Sequence, residues 1–448
     1  MKRLFPVIAL VTLLAAQPAA AQSILRDAET EALLNDMARP MIEAADLNPR
    51  NVRMVLINDG SINAFVAGGQ AVYIHSGLIN AADSANEVQG VIAHELGHVT
   101  GGHVPLQGQM MKEAMGMTIL SLVLGVAAIA VGAGEAGAGI LAAGQQAAMG
   151  SFLAFSRGQE SAADAAGVRY LNTAKVSGRG MLDFFKKLQN QEFRLAIPQN
   201  NGYQRTHPLS GERIANLTGD LSVAPAFNAP VDADMQSRFK RVQAKLRGYV
   251  NDAPATLRSY PATDNSIPAH YARAYAFHRT GYPAKAAAEA AALVQYAPHD
   301  PYFLELQGQI LLESGKPVEA LAPLREATTK TRFQPLIATT FGHALIATED
   351  PKHLAEAEQV LRQAVARDDR NPFAWYQLGV VYERKGDGPR TALAAAEQAS
   401  LSNEPMRALV SARAAMAGLP PGTPDYIRAQ DIQMTAEFAV KDQKGRRR

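Results

Sequence analysis

The chain contains no cysteine. Disulfides, thiol-linked lipids and thiolate metal sites are therefore excluded, and any metal must be held by nitrogen and oxygen ligands. A basic field is also missing: 44 Lys and Arg stand against 42 Asp and Glu, with the signs interspersed except in the terminal "KDQKGRRR". That balance excludes the one-sided basic surface that nucleic-acid binding needs. The terminal run reads as a solvated, disordered end. Charge is absent over residues 115–134 and, after Glu135, again to Ser156. The first run is long enough in principle to cross a bilayer; the second, mostly Gly, Ala and Gln, is too weakly apolar to insert. Together they predict a buried or membrane-surface helical hairpin covering a cleft, with a transmembrane hairpin as the alternative.

What is present describes a folded chain of two or three domains, 47% apolar and 19% charged over 448 residues. The first residues join Lys2 and Arg3 to an apolar run and to Ala19 and Ala21, the pattern of a signal peptide cleaved after Ala21. Export to a periplasm follows, and cleavage takes the formal charge from +2 to 0.

The expected domains are a signal peptide (1–21), a peptidase domain (22–225) with an apolar lid or membrane-contact hairpin (105–156), a helical linker (226–262), repeats (263–420) and a tail (421–448). "NVRMVLINDGSINAFVAGGQAVYIHSGLINAA" carries short β-favouring runs broken by turn residues, which predicts a small antiparallel sheet. Ser84 followed by Glu87 fits a capping box, opening a helix that should stop at Gly101-Gly102. Beyond residue 263 the chain is Ala-rich and repetitive. Gly281 and Gly315, like Ala286 and Ala320, lie one two-helix period apart, and Gly308, Gly342 and Gly379 mark places where paired helices must touch. About four units resembling tetratricopeptide repeats are expected, offering a concave surface to peptides or partner proteins. The fold class is thus an α+β peptidase domain, mainly helical, followed by an all-α solenoid.

Chemistry resides in "VIAHELGHVTGGH". His94 and His98, four apart on a helix, project from one face and can reach one cation, and imidazole pairs at this spacing suit zinc. Glu95 is placed to take a proton from metal-bound water. A third ligand is needed. His103 is on offer but lies beyond Gly101-Gly102 at the wrong spacing for the same face; Glu160 in "SRGQESAADAAG" is the more persuasive candidate, although a Glu and an Asp four apart are common on solvated helices. Asp164, one turn later, could fix the tautomer of a ligand imidazole. An extended substrate could pair with the strand edge at Asn63, Ala64 and Phe65.

"NAFVAGG", "HELGHVTGGH", "ESAAD" and "THPLSGERI", in this order, resemble the HtpX and BepA type of zinc metallopeptidase over residues 27–221. The resemblance implies a zincin fold of gluzincin type, with one Zn²⁺ per chain on His94, His98 and Glu160 and with Asp164 behind them. It also implies that His207 can occupy the fourth coordination position in a latent state or, with Arg213, stabilise the oxyanion. With a signal peptide and repeats attached, it implies a periplasmic protease of unfolded or misassembled envelope proteins. A chaperone role in outer-membrane assembly would act through the repeats on the β-barrel assembly machinery or its clients. The alternatives are a latched adaptor with little proteolysis and an integral membrane protease. The uncharged 115–156 segment is less polar than a soluble lid requires, and peripheral membrane contact is expected there.

Overall fold

The computed structural model describes residues 23–130, 133–195, 207 and 210–446. The expected signal peptide lies outside them. The chain divides into two compact units: one takes in the strand Ser23–Leu25 with Leu34–Gln236, the other Arg26–Leu33 with Ser237–Arg448. The second unit therefore includes eight residues that the sequence assigns to the peptidase segment.

In the first unit, β1 (Ser23–Leu25), β2 (Arg53–Asn58), β3 (Ala64–Ala67) and β4 (Ala71–His75) form one sheet in the order β1-β2-β4-β3. The sheet is mixed and not antiparallel throughout. β1–β2 and β3–β4 are antiparallel, but β2 pairs with β4 in parallel, Arg53 opposite Ala71 through Ile57 opposite His75. The chain reverses between β2 and β3 and again at Gly68 and Gly69, with φ of +58° and +93°, before β4 meets β2. The two consequently run the same way, and β3 is left at the sheet edge.

The helices of this unit are α1 (Ala28–Ala44, whose first turn lies in the second unit), α2 (Ser76–Ala81), α3 (Ala85–Thr100), α4 (His103–Ala130), α5 (Gly134–Thr173), α6 (Arg179–Leu195) and α7 (Gly211–Ser222). Ser84 caps α3 by accepting from Glu87 N–H at 3.2 Å. The Glu87 carboxylate bonds back to Asp83 N–H at 3.0 Å and to Lys187 at 2.9 Å, so the expected box closes one residue earlier than the ideal pattern. α3 is buried along nearly its whole length, as a helix that carries ionisable groups away from water must be if those groups are to act on one another.

α4 and α5 form the expected hairpin, but it is not buried. Ile119, Leu120, Leu122, Val123, Leu124 and Val126 are each more than half exposed. Apolar residues surround α4 on every side, and a single partner helix can cover only one of them.

Beyond Arg26–Leu33 the second unit takes in α8 (Ala233–Val250, whose first turn lies in the first unit) and α9 (Ala253–Ser259), then stacks helix pairs: α10 (Ile267–Arg279) with α11 (Pro283–Tyr296), α12 (Pro301–Glu313) with α13 (Pro317–Lys330), α14 (Pro335–Ala347) with α15 (Leu354–Arg367), α16 (Pro372–Arg384) with α17 (Gly388–Leu401), and α18 (Pro405–Gly418) with α19 (Pro424–Arg446). Asp300, Gln334 and Asn371 cap successive first helices, each followed by a proline that needs no N–H partner there. Gly281 and Gly315 both sit at φ +76° where first helices end. A side chain at Gly342 would run into Leu361 at 2.6 Å, so the repeated glycine is where paired helices meet. The expected tail is a correction: residues 424–446 are helical, and Ala429, Ile432 and Ala436 share one core with Ala408 and Ala412 of α18. Three apolar positions spaced three and four apart within a charged stretch are enough to bind the helix down.

Candidate metal centre

α3 places His94 and His98 on one face, and two other helices bring their partners. Gly97 makes this possible: a Cβ there would stand 2.6 Å from the Ala163 carbonyl oxygen, so only glycine lets α5 approach near enough for Glu160 and Asp164 to reach the histidines. One ligand atom from each of His94, His98, Glu160 and His207 lies within 4.8 Å of all the others, and all four residues are buried. Glu160 Oε2 is 3.4 Å from His94 Nε2, and Oε1 is 3.4 Å from His98 Nε2. The two Nε2 atoms face each other at 3.1 Å. His207 Nδ1 completes the group, 3.3 Å from His94 Nε2 and 3.1 Å from Glu160 Oε1.

Around these four stands a supporting layer. His94 Nδ1 donates to Asp164 Oδ1 at 2.9 Å, and Phe185 lies edge-on to the His94 ring with centroids 5.5 Å apart. The proton on Nδ1 leaves the Nε2 lone pair aimed at the centre. His207 is oriented by backbone: its Nε2 donates to the Ala64 carbonyl at 3.2 Å, which leaves Nδ1 as the inward lone pair. Asn63 and Phe65 lie on either side of that carbonyl. Asn63 uses its own carbonyl to accept from His75 N–H, and Phe65 stacks on Tyr73 at 5.1 Å.

Arg213 sits differently from its expected place beside an oxyanion. Its Nε and Nη2 grip Asp164 at 2.8 and 2.9 Å, and its Nη1 pairs with Glu160 at 2.9 Å. The guanidinium therefore holds the two carboxylates in place and stands behind the ligand cluster, and it is 6% exposed.

Burial disfavours charge on His94, yet its bonds to Asp164 and Glu160 outweigh burial and lift its pKa to about 10, so a cation bound at Nε2 must displace a proton from it. Glu160 is held well below the usual carboxylate range: burial opposes ionisation, but His207, His94 and His98 favour it more. Asp164 is lowered in the same way, with His94 and Arg213 overcoming burial. His98 is lowered by burial.

Glu95 is fully buried, and neither carboxylate oxygen finds a hydrogen-bond partner among the described residues. His207 Nε2 stands 3.5 Å from Oε1. A buried carboxylate left so is costly unless something further enters the site. Three imidazoles and a carboxylate converging on one point, beside a carboxylate with no hydrogen bond, fit a divalent cation in a nitrogen–oxygen site. His103, set aside by spacing as a ligand, sits beneath His98, with Nδ1 atoms 2.8 Å apart. The signal for it was the glycine pair that folds the chain back under the helix.

Residues 26–220 match the family model for peptidase family M48. The chain is 25% identical to the beta-barrel assembly-enhancing protease of Yersinia pestis over 84% of its own length and 77% of that protein. It is 31% identical to metalloprotease LoiP of Escherichia coli K12, over 39% of this chain and 64% of that one. Among solved structures, the TPR protein YrrB aligns with 39% of this chain and 91% of its own, at 19% identity and a TM-score of 0.33. Residues 26–220 thus form a domain similar to peptidase family M48 metalloproteases, and the second half of the chain is built of stacked helix pairs of the tetratricopeptide kind.

Proposed function

We propose that the protein is an exported zinc endopeptidase of the HExxH gluzincin type that cleaves unfolded or misassembled envelope proteins. The observation that carries the reading is Glu95, buried with neither carboxylate oxygen hydrogen-bonded, beside the converging His94, His98 and Glu160. A zinc ion held by those three residues would supply Lewis acidity, acidifying water and polarising a peptide carbonyl. Glu95 then accepts the proton of the attacking water on its free carboxylate and returns it to the leaving amine. Asp164 keeps the His94 proton on Nδ1, and Arg213 keeps both carboxylates aligned.

His207 is the latch. At the edge of the sheet the Ala64 N–H and C=O point away from β4, because Asn63 and Phe65 make the ladder bonds. An extended substrate adding a strand there needs the Ala64 carbonyl that His207 now holds. One side chain thereby fills the fourth ligand position and the first rung of the substrate edge, and both open when it leaves. Glu95→Gln should bind zinc like the parent and lose casein cleavage by about 10²–10⁴-fold. Cleavage at the parental rate would end this mechanism.

The relatives that carry beta-barrel assembly in their names favour a role for the repeats in holding barrel clients or the assembly machinery. Deleting the repeats should abolish partner binding and spare cleavage of short peptides. A second reading, membrane contact, is favoured by the hairpin: His103–Ala128 is long and apolar enough to cross a bilayer, and only 11% of its most apolar window is buried. Carbonate extraction of membranes separates peripheral contact, where the protein is released, from integration, where it stays.

A further inference from the structure

His103 is the first residue of α4 and lies 8% exposed directly under His98. Their rings cross edge-on with centroids 4.8 Å apart. His98 turns Nε2 toward Glu160 and His94, so its Nδ1 faces away from the centre, and His103 Nδ1 meets it at 2.8 Å. Two imidazole nitrogens at that distance share one hydrogen. If His98 Nε2 is to offer a lone pair, its proton must be on Nδ1, which then donates to His103. His103 accepts through Nδ1 and carries its own proton on Nε2. Asp164 performs this service for His94; among the described residues, His103 is the group hydrogen-bonded to His98 Nδ1.

The local chain is shaped to deliver this ring. α3 ends at Gly101, Gly102 reverses the backbone at φ +59°, and α4 begins at His103 itself. A Cβ at Gly101 would overlap the His103 ring atoms Nε2, Cδ2 and Cε1. Gln159, one residue before Glu160, donates to the His103 carbonyl at 3.3 Å. The turn is therefore tied to the helix that carries the carboxylate ligand.

We propose that His103 is a positioning residue of the metal centre, fixing the tautomer and ring orientation of His98. The proposal rests on His98 being a ligand, so its test carries that question separately. Zinc affinity of the metal-free full chain would be measured by chelator competition for the parent, His103→Leu, His103→Asn and His98→Ala, with thermal unfolding of each metal-free protein alongside. Asn offers an acceptor oxygen close to where Nδ1 stands; Leu fills space and accepts nothing. His103→Leu should bind zinc about 10–100-fold more weakly, and His103→Asn should return close to the parent, while the metal-free unfolding temperatures agree. Equal losses in Leu and Asn, or parental affinity in Leu, would overturn the role as acceptor. If His98→Ala also binds like the parent, the ligand assignment itself is wrong; if only His98→Ala fails, His103 alone is misassigned. Gly101→Ala, which displaces the ring without removing it, should weaken zinc binding like His103→Leu, and parental affinity there would count against the proposal.

Discussion

Two clusters of buried ionisable groups, one in each unit, are built on opposite plans. In the second unit Lys245 pairs with Asp27 and with Glu29 at 3.4 Å. Arg241 pairs with Glu29 and with Asp300 at 2.7 Å, and Tyr271 donates to Glu29 at 2.5 Å. Anions there meet cations supplied by the protein. In the first unit three imidazole nitrogens and a carboxylate point at one another, and Arg213 is spent on the carboxylates from behind. The contrast teaches what separates a clasp from a site: in the clasp each anion meets a cation of the protein, whereas the site gathers electron pairs around a place where a cation belongs.

Substitutions can break that contrast. Lys245→Met should leave Asp27 buried without its cation and Glu29 with Arg241 alone, and destabilise the solenoid unit by about 3–5 kcal/mol, read from denaturant unfolding. A loss confined to a few tenths would show that the clasp is ornamental. Arg213→Lys keeps a charge but not the forked grip on Asp164 and Glu160, and should lower zinc affinity by about tenfold or more with little change in the fold. An unchanged affinity would mean the carboxylates need no support.

A further effect is a pH slope set by Glu305, which senses the charges of the clasp. Burial pushes Glu305 up to about 8, assisted by Asp27 and Glu29 and opposed by Lys245. The folded form thus holds a proton that the unfolded chain releases above about 4.5, so stability is full below that pH and is lost as pH rises toward 8. Glu305→Gln should flatten this part of the unfolding profile, and an unaltered slope would assign it elsewhere.

How much of this was legible depends on the range over which each feature is encoded. His94, Glu95 and His98 are local, fixed by helical spacing within five residues. Ser84 and Gly102 are local too, and they bound the helix as expected. Glu160 and Asp164 lie on a helix reached only after the hairpin; their spacing is common on any solvated helix, and the resemblance gave them weight. Nothing in "HPLSGER" says that Asp164 and Glu160 will fold against Arg213, so the sequence alone leaves its charge free for an oxyanion. The parallel pairing of β2 with β4 was hidden because sheet order is a tertiary decision, and alternation fixes which face is buried but not which neighbour is chosen. The helix at 424–446 was masked by its charges, with its apolar stripe narrow and made largely of alanine. His103 falls outside the ligand spacing, and a ring that meets His98 Nδ1 from beyond the helix end has no signature in that spacing.

The central claim is that "HELGH" is a working zinc site kept shut by His207. Its most direct test is casein cleavage by purified residues 22–448, comparing the parent, His207→Ala and His207→Ala with Glu95→Gln. Faster cleavage by the single variant and none by the double is the predicted result. If neither the parent nor His207→Ala cuts while zinc is bound, the claim is contradicted.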